Sequence, residues 1–379
     1  MSHAPIDALS RRHQVIRDAC RARSLDALVI TSLPNILYLT NFTGSSAIVV
    51  IRADRLQFVT DFRYVTALAA SRGTPYECPG LELVTVDGSY DSTLLSVIGG
   101  LPSARVGVEA AHMTMARHAW LTARLGNGPS SPSLVGSEGI VEKARIVKDR
   151  HELDTIRTAG SMLSDLVPDI CAEARRGRSE REVALAIDTR MRRAGFERNA
   201  FDTIVASGPN GALPHAHPGE RILSEGDLVV LDFGGVYDSY CVDLTRTVSV
   251  GPQSARGREV YDAVRAAHDR AIEAVRPATS RFAIDAAARD ELTRRGFGEV
   301  FGHGTGHGLG IEVHEEPRIA RRRAGIDVDD DPVSPGMVFT IEPGAYLPDW
   351  GGVRIEDDVV VTETGVDVLT TARTELMEV

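Results

Sequence analysis

The feature that most constrains this chain is the stretch LVVLDFGGVYDSYCVDLTRTVSV, residues 228–250, where Asp232 closes one apolar β run and Asp243 sits inside the next. Two carboxylates on adjoining strands need a compensating charge, because an ionised acid among apolar residues is costly to bury unless it is paired. The local sequence offers little. Arg246 is the one close basic residue, and its odd spacing from Asp243 sends it to the opposite face of a strand.

Two more acids stand in apolar β patterns, Glu342 in VFTIEPGAY and Glu356 in GGVRIEDDVVV. Ahead of them EVFGHGTGHGLGIEVHEEP supplies His303, His307 and His314 in a glycine-rich, strand-flanked setting. Clustered imidazoles suit metal binding or acid–base work. The glycines match neither GxGxxG nor GxxxxGK[ST], so a phosphate cradle is not indicated. HExxH is also absent, since neither His151 nor His314 has a second histidine four residues later. Four oxygen-donor acids with one or more imidazoles suit relatively hard divalent ions such as manganese, with cobalt, iron or zinc as substitutes. Two such ions would neutralise four carboxylates and hold a bridging hydroxide, which makes metal-assisted hydrolysis the expected reaction class.

Lys and Arg total 42 against 53 Asp and Glu, a net charge of −11, which disfavours the broad positive surface that nonspecific nucleic-acid binding needs. No run approaches the ~18 apolar residues of a membrane span, and the N-terminus has no apolar stretch of signal-peptide length, so a cytoplasmic protein without membrane partners is expected. Cys20, Cys78, Cys171 and Cys241 are isolated and suggest neither a disulfide framework nor a thiolate zinc site.

Length and pattern allow two domains. Up to residue 142, helix-like stretches alternate with β-branched runs such as LDALVITS, SAIVVIRA, LQFVTDF and ARVGVEA, which reads as an α/β domain. The stretch GNGPSSPSLVGSEG, residues 126–139, reads as a surface connection just before the boundary. Residues 143–379 then open with an amphipathic helix carrying Leu153, Ile156, Met162, Leu163 and Leu166, which Pro168 should kink or interrupt. A second helix is capped by Ser179 with Glu182 and stops at Gly195. Later helices are expected near 256–275 and 282–295, and the charged segment 321–332 reads as an exposed loop.

Taken together these residues resemble the pita-bread metallopeptidases, the family of prolidase, aminopeptidase P and methionine aminopeptidase. The resemblance implies an α/β N-terminal domain plus an α+β pita-bread catalytic domain of the creatinase/aminopeptidase-like kind, with a curved, mainly antiparallel sheet backed by helices. It implies that Asp232, Asp243, His307, Glu342 and Glu356 hold two divalent ions, Asp243 and Glu356 bridging them. His215 in ALPHAHPGE matches one catalytic histidine, with His217 close enough to compete for the assignment, and His314 matches the other. His303 resembles a substrate-contacting position, Arg318 one that could hold a dipeptide's C-terminal carboxylate, and Arg354 a residue that orients a metal-binding carboxylate.

The segments SLPNILYLTNFTGSSAIVVI and VTDFRY resemble the smaller domain that precedes the catalytic half in prolidases and aminopeptidase P and is generally missing from methionine aminopeptidases. The implied activity is hydrolysis of the bond between an N-terminal residue and proline, with a proline-containing peptide as substrate and a homodimer as the assembly. Methionine aminopeptidase-like activity and a non-catalytic peptide- or protein-binding module are the alternatives. A metal-free hydrolase like creatinase is disfavoured by the intact acids.

Overall fold

Residues 228–250 fold back on themselves as a hairpin of two ten-residue strands, Leu228–Tyr237 and Tyr240–Ser249. Asp238 and Ser239 turn the chain with φ of 43° and 71°, the left-handed pair that a two-residue hairpin favours. Asp232 lies inside its strand rather than closing it, because Gly234 marks close packing and not a chain break. A Cβ there would lie 2.4 Å from the Val242 carbonyl oxygen and 2.6 Å from the Phe201 ring. The register pairs Asp232 with Thr245 and Gly234 with Asp243, which puts Asp232, Thr245 and Asp243 on one face.

The computed structural model describes residues 2–322, 325 and 330–379, and the chain divides into two compact units, Met1–Arg145 and Ile146–Val379. The expected boundary, after residue 142, falls within the short helix Ile140–Ile146. In the first unit six strands lie in the order Leu81–Thr85, Leu56–Thr60, Ile48–Arg52, Ala27–Ile30, Arg105–Glu109, Ser133–Ser137, with parallel and antiparallel neighbours. The last of these corrects the reading of 126–139 as a plain connection. Ser133–Ser137 is an edge strand, and Leu134 packs on the core, but one apolar pair between serines and glycines shows no period to read.

In the second unit the hairpin carries Met377–Glu378 on one edge and Arg198–Asn199 and Ile204–Ser207 on the other. A further sheet runs Glu315–Ile319, Gly306–Gly308, Val338–Ile341, Asp357–Val361, Val366–Val368, beside a small hairpin, Gly344–Leu347 with Gly351–Arg354. These pairings are antiparallel except for Met377–Glu378, and the two larger sheets touch at the bridge between Thr245 and Glu356.

Arg150–Cys171 packs against the long hairpin through Ile156, Leu163, Val167 and Ile170. Pro168 does not interrupt it. The residue is exposed and one turn from the end, so the carbonyl it leaves unbonded can be met by water. Glu180–Ala194 starts on the Ser179–Glu182 capping box and stops at Gly195 in the left-handed conformation, φ 109°. Ala255–Ala274 and Arg281–Arg294 bury Val260, Val264 and Ile284 against Phe339, Ile341, Val353 and Val359. Of the segment 321–332, residues 323, 324 and 326–329 lie outside the described residues, while Arg321 and Arg322 are exposed.

On the hairpin's other face Arg246 is fully buried and spends all five of its N–H donors. They reach the backbone carbonyls of Thr245, Glu356, Ala372 and Arg373 and the Asp357 carboxylate, at 2.6–2.9 Å. One guanidinium thus ties the hairpin, the strand after Glu356 and the C-terminal segment together. Arg246→Met should cost on the order of 3–5 kcal/mol, because it removes the arginine partner of buried Asp357, leaving only His268 at 3.1 Å among the described basic residues, and strands four backbone carbonyls. The measurement is the urea midpoint by tryptophan fluorescence, and an unchanged midpoint would contradict this account of the core.

Candidate functional site

A cavity of about 980 Å³ opens over the face that carries Asp232 and Asp243. Its lining includes Asp232, Asp243, Glu342, Glu356, His215, His217, His303, His307, His314, Arg318 and Arg354, so every residue singled out from sequence borders one space.

Each acid arrives on a different piece of backbone. Glu356 lies in the gap between two strands, where its N–H donates to the Thr245 carbonyl at 3.1 Å and its carboxylate accepts from the Thr245 hydroxyl at 2.6 Å. Glu342 follows directly on the strand Val338–Ile341, its N–H donating to the Thr305 carbonyl at 2.7 Å. Asp243 is pinned by its own N–H, which donates to the Asp358 carboxylate at 2.9 Å. Buried, with Glu356 and Asp232 beside it, the Asp243 carboxyl is pushed well above the usual carboxylate range, and burial beside Glu342 and Asp232 does the same to Glu356. Burial pushes Glu342 up to about 7.

His307 stands on the short strand Gly306–Gly308, and its Nδ1 donates to the Gly308 carbonyl at 3.1 Å. A carbonyl can only accept, so Nε2 keeps its lone pair and turns it toward Asp243 at 3.9 Å and Glu342 at 3.7 Å. Burial, then the neighbouring His314, pushes His307 down to about 3, so the ring is neutral at neutral pH. His314 meets the His307 ring edge-on with centroids 4.3 Å apart. Its pKa is lowered by partial burial and by Arg318. His215 lies near enough to His303 and His314 for its charge to lower the pKa of both, and His217 lines the same cavity.

Arg354 donates to Asp232, and also to the Thr245 hydroxyl at 3.2 Å, the Pro214 carbonyl at 3.3 Å and the Tyr346 hydroxyl at 3.0 Å. Tyr346 was not singled out from sequence. Its hydroxyl bridges Arg354 and His303 Nε2 at 2.8 Å, while His303 Nδ1 donates to the Gly304 carbonyl at 2.8 Å. Both His303 nitrogens are therefore occupied by protein, and burial holds the ring neutral, with a pKa of about 4. Asp285 and Arg289 were missed as well. Asp285 accepts from the Thr305 N–H and hydroxyl, and Arg289 donates to the carbonyls of Phe301 and His303, fixing the loop that delivers both His303 and His307. An acid and an arginine four apart on a helix were the only signal, and that spacing occurs on many solvated faces.

Comparison with known proteins settles the family. Residues 154–363 match the model of metallopeptidase family M24, and residues 12–147 match the creatinase/prolidase N-terminal domain. The chain belongs to metallopeptidase family M24. It is 38% identical over 353 residues, 93% of its length and 96% of the relative's, to an uncharacterized peptidase of Bacillus subtilis, YqhT. Among solved structures it is similar to the Xaa-Pro dipeptidase from Bacillus anthracis, with 34% identity, a TM-score of 0.89 and coverage of 98% and 100% of the two chains. It is also similar to the X-Pro aminopeptidase from Thermotoga maritima, with 32% identity, a TM-score of 0.84 and coverage of 96% and 100%. The M24 catalytic unit has the pita-bread fold, and the protein is a metal-dependent hydrolase.

The donor set fits such a metal. Asp232 Oδ1 and Asp243 Oδ1 are buried without a hydrogen-bond partner, a costly state that a cation would relieve. One donor atom each from Asp243, His307 and Glu356 lie within 4.8 Å of one another. The His307–carboxylate distances of 3.7–3.9 Å are too long for hydrogen bonds and within the ~4 Å that two ligands on one ion span.

Glu342 is raised from 4.5 to about 7, so without metal its contribution to stability is complete below its ordinary value and lost as pH rises through about 7. A metal ion needs the deprotonated acid, so its stabilisation grows over the same window. Adding Mn²⁺ to chelator-stripped M24 protein should raise Tm more at about pH 8 than at about pH 5.5. Equal gains at both pH values would show that the acids are already ionised at the lower one.

Proposed function

We propose that this M24 enzyme is an Xaa-Pro peptidase with two divalent ions, hydrolysing the bond between an N-terminal residue and proline. The observation that carries the proposal is the convergence of Asp232, Asp243, His307, Glu342 and Glu356, with two orphaned carboxylate oxygens, at the floor of one cavity. These five residues would hold the ions. Bound there, divalent ions polarise the scissile carbonyl and lower the pKa of water enough to make it a nucleophile near neutral pH.

The protein's own groups do the rest. His215 and His314 line the cavity and would donate to the developing oxyanion and pass a proton to the departing proline nitrogen, which has no hydrogen of its own. Arg354 orients Asp232 through a charge-assisted contact. With both nitrogens occupied, His303 would meet substrate through its ring, as a wall for proline, rather than through a hydrogen bond. Arg318, exposed on the cavity lining, is placed to take the C-terminal carboxylate of a dipeptide. The oxygen-rich donor set suits Mn²⁺, with Co²⁺, Fe²⁺ or Zn²⁺ as substitutes. Among the described residues no helix is long and apolar enough to cross a membrane. A cytoplasmic homodimer completes the proposal, and sedimentation would test its assembly.

The test is an assay of stripped enzyme resupplied separately with Mn²⁺, Co²⁺ and Zn²⁺ on Ala-Pro, Ala-Pro-Ala and Met-Ala-Ser. Metal-dependent cleavage of Ala-Pro is expected. Cleavage of the proline tripeptide alone would indicate an aminopeptidase, and cleavage of Met-Ala-Ser alone would refute proline specificity. His314→Ala should lower kcat/KM by roughly 10²–10⁴-fold, and an unchanged value would remove it from the mechanism.

A further inference from the structure

Glu180 is an acid that the reading above does not use. It is the first residue of the helix Glu180–Ala194 and is wholly buried. Among the described residues no arginine or lysine forms an ion pair with it; four neutral donors meet the charge instead. One oxygen accepts from the Ser207 N–H at 2.8 Å and the Ser207 hydroxyl at 2.7 Å, and the other from the Gly219 N–H at 3.1 Å. The Asn210 side-chain amide lies 3.0 and 3.1 Å from the two oxygens. The start of a helix also favours negative charge.

These donors come from both ends of one loop. Ser207 and Asn210 precede Pro214, His215, Ala216 and His217, and Gly219 follows them. The bonds that the loop's interior makes with its own backbone are local, from Leu213 to Asn210 and from Ala216 to Leu213. The remaining ties are outward. The Pro214 carbonyl accepts from Arg354, and Gly211 lies so close to Gly352 that a Cβ would sit 2.9 Å from its nitrogen. The helix adds two backbone bonds, from Glu180 N–H to the Arg221 carbonyl at 3.1 Å and from Arg181 N–H to the Gly219 carbonyl at 3.0 Å. Arg221 in turn donates to the Ser207 hydroxyl at 2.7 Å.

We infer that Glu180 is a positioning residue, its carboxylate clamping both ends of the 207–219 loop so that His215 is presented to the cavity. The inference rests on the role proposed above for His215. The chemistry selects a carboxylate, because four donors need an acceptor-only group with two oxygens. Glutamine has one carbonyl oxygen and would turn its own N–H donors against those of Ser207 or Gly219.

The test is a double-mutant cycle with Glu180→Gln and His215→Ala in the metal-loaded enzyme, following kcat, KM and bound metal. Glu180→Gln should lower kcat by about 10–100-fold, leaving KM and metal content unchanged, since no metal-binding residue lies on this loop. In the His215→Ala background the same change should cost less than about threefold, because the residue it positions is gone. An equal cost in both backgrounds would overturn the inference while leaving His215 its role. Full activity of His215→Ala would instead overturn that role, and the inference with it. Should Glu180→Gln fail to fold, Asn210→Ala, which removes one donor from the same carboxylate, decides by the same cycle, and no loss of kcat there would count against the clamp.

Discussion

Asp232, Asp243, Glu342 and Glu356 crowd one cleft, where among the described residues Arg354 is the guanidinium in contact with them, through Asp232, and this concentration of buried negative charge bears on the structure around it. Unit charges about 4 Å apart repel by roughly 4 kcal/mol even at an effective dielectric constant of about 20. Without metal, Asp243, Glu342 and Glu356 respond by binding protons more tightly, as their raised pKa values express. The centre therefore works against its own assembly, and the scaffold has to be held together by other means. Arg246 does so on the far face of the same hairpin, where one cation meets five acceptors and a well-bonded Asp357. The two faces divide the work: one is satisfied within the protein, the other is left short of positive charge.

The loops follow the same logic one step out. His215, His303 and His314 project into the cavity from irregular backbone, which has no sheet neighbours to fix it. Asp285 gathers the Thr305 N–H and hydroxyl, with Arg289 holding the carbonyls before it, and Glu180 gathers donors from residues 207, 210 and 219. A carboxylate suits this task because charge-assisted hydrogen bonds are stronger than neutral ones and because it accepts several donors at once.

What could be read from the sequence divides along that line. Local signals were legible: the Ser179–Glu182 box, the Gly195 stop and the apolar β runs of residues 228–250 each lie within a few residues of what they specify. The site acids were legible for the opposite reason, since a charged residue in an apolar strand is conspicuous without knowledge of its partner. Tyr346, Asp285 and Glu180 carried no such signal. Their meaning comes from partners 43, 20 and 27 positions away in the chain, and before folding each passes for an ordinary surface residue. The strand Ser133–Ser137 escaped notice because its pairing with Arg105–Glu109, not its own pattern, makes it a strand.

The imidazoles show how hydrogen bonds alone can sort chemically identical groups. His303 has both nitrogens occupied, by Gly304 and Tyr346, and can neither take nor give a proton without breaking a bond. His307 has Nδ1 occupied by Gly308 and its free lone pair aimed at two acids, an arrangement suited to a ligand and not to proton transfer. His314, exposed beside Arg318 and stacked edge-on against His307, is not tied in this way. Under the proposed reaction the general acid has to be an imidazole with a nitrogen to spare near neutral pH. Among these three, backbone carbonyls and a tyrosine hydroxyl leave that work to His314, with His215 on the same cavity lining.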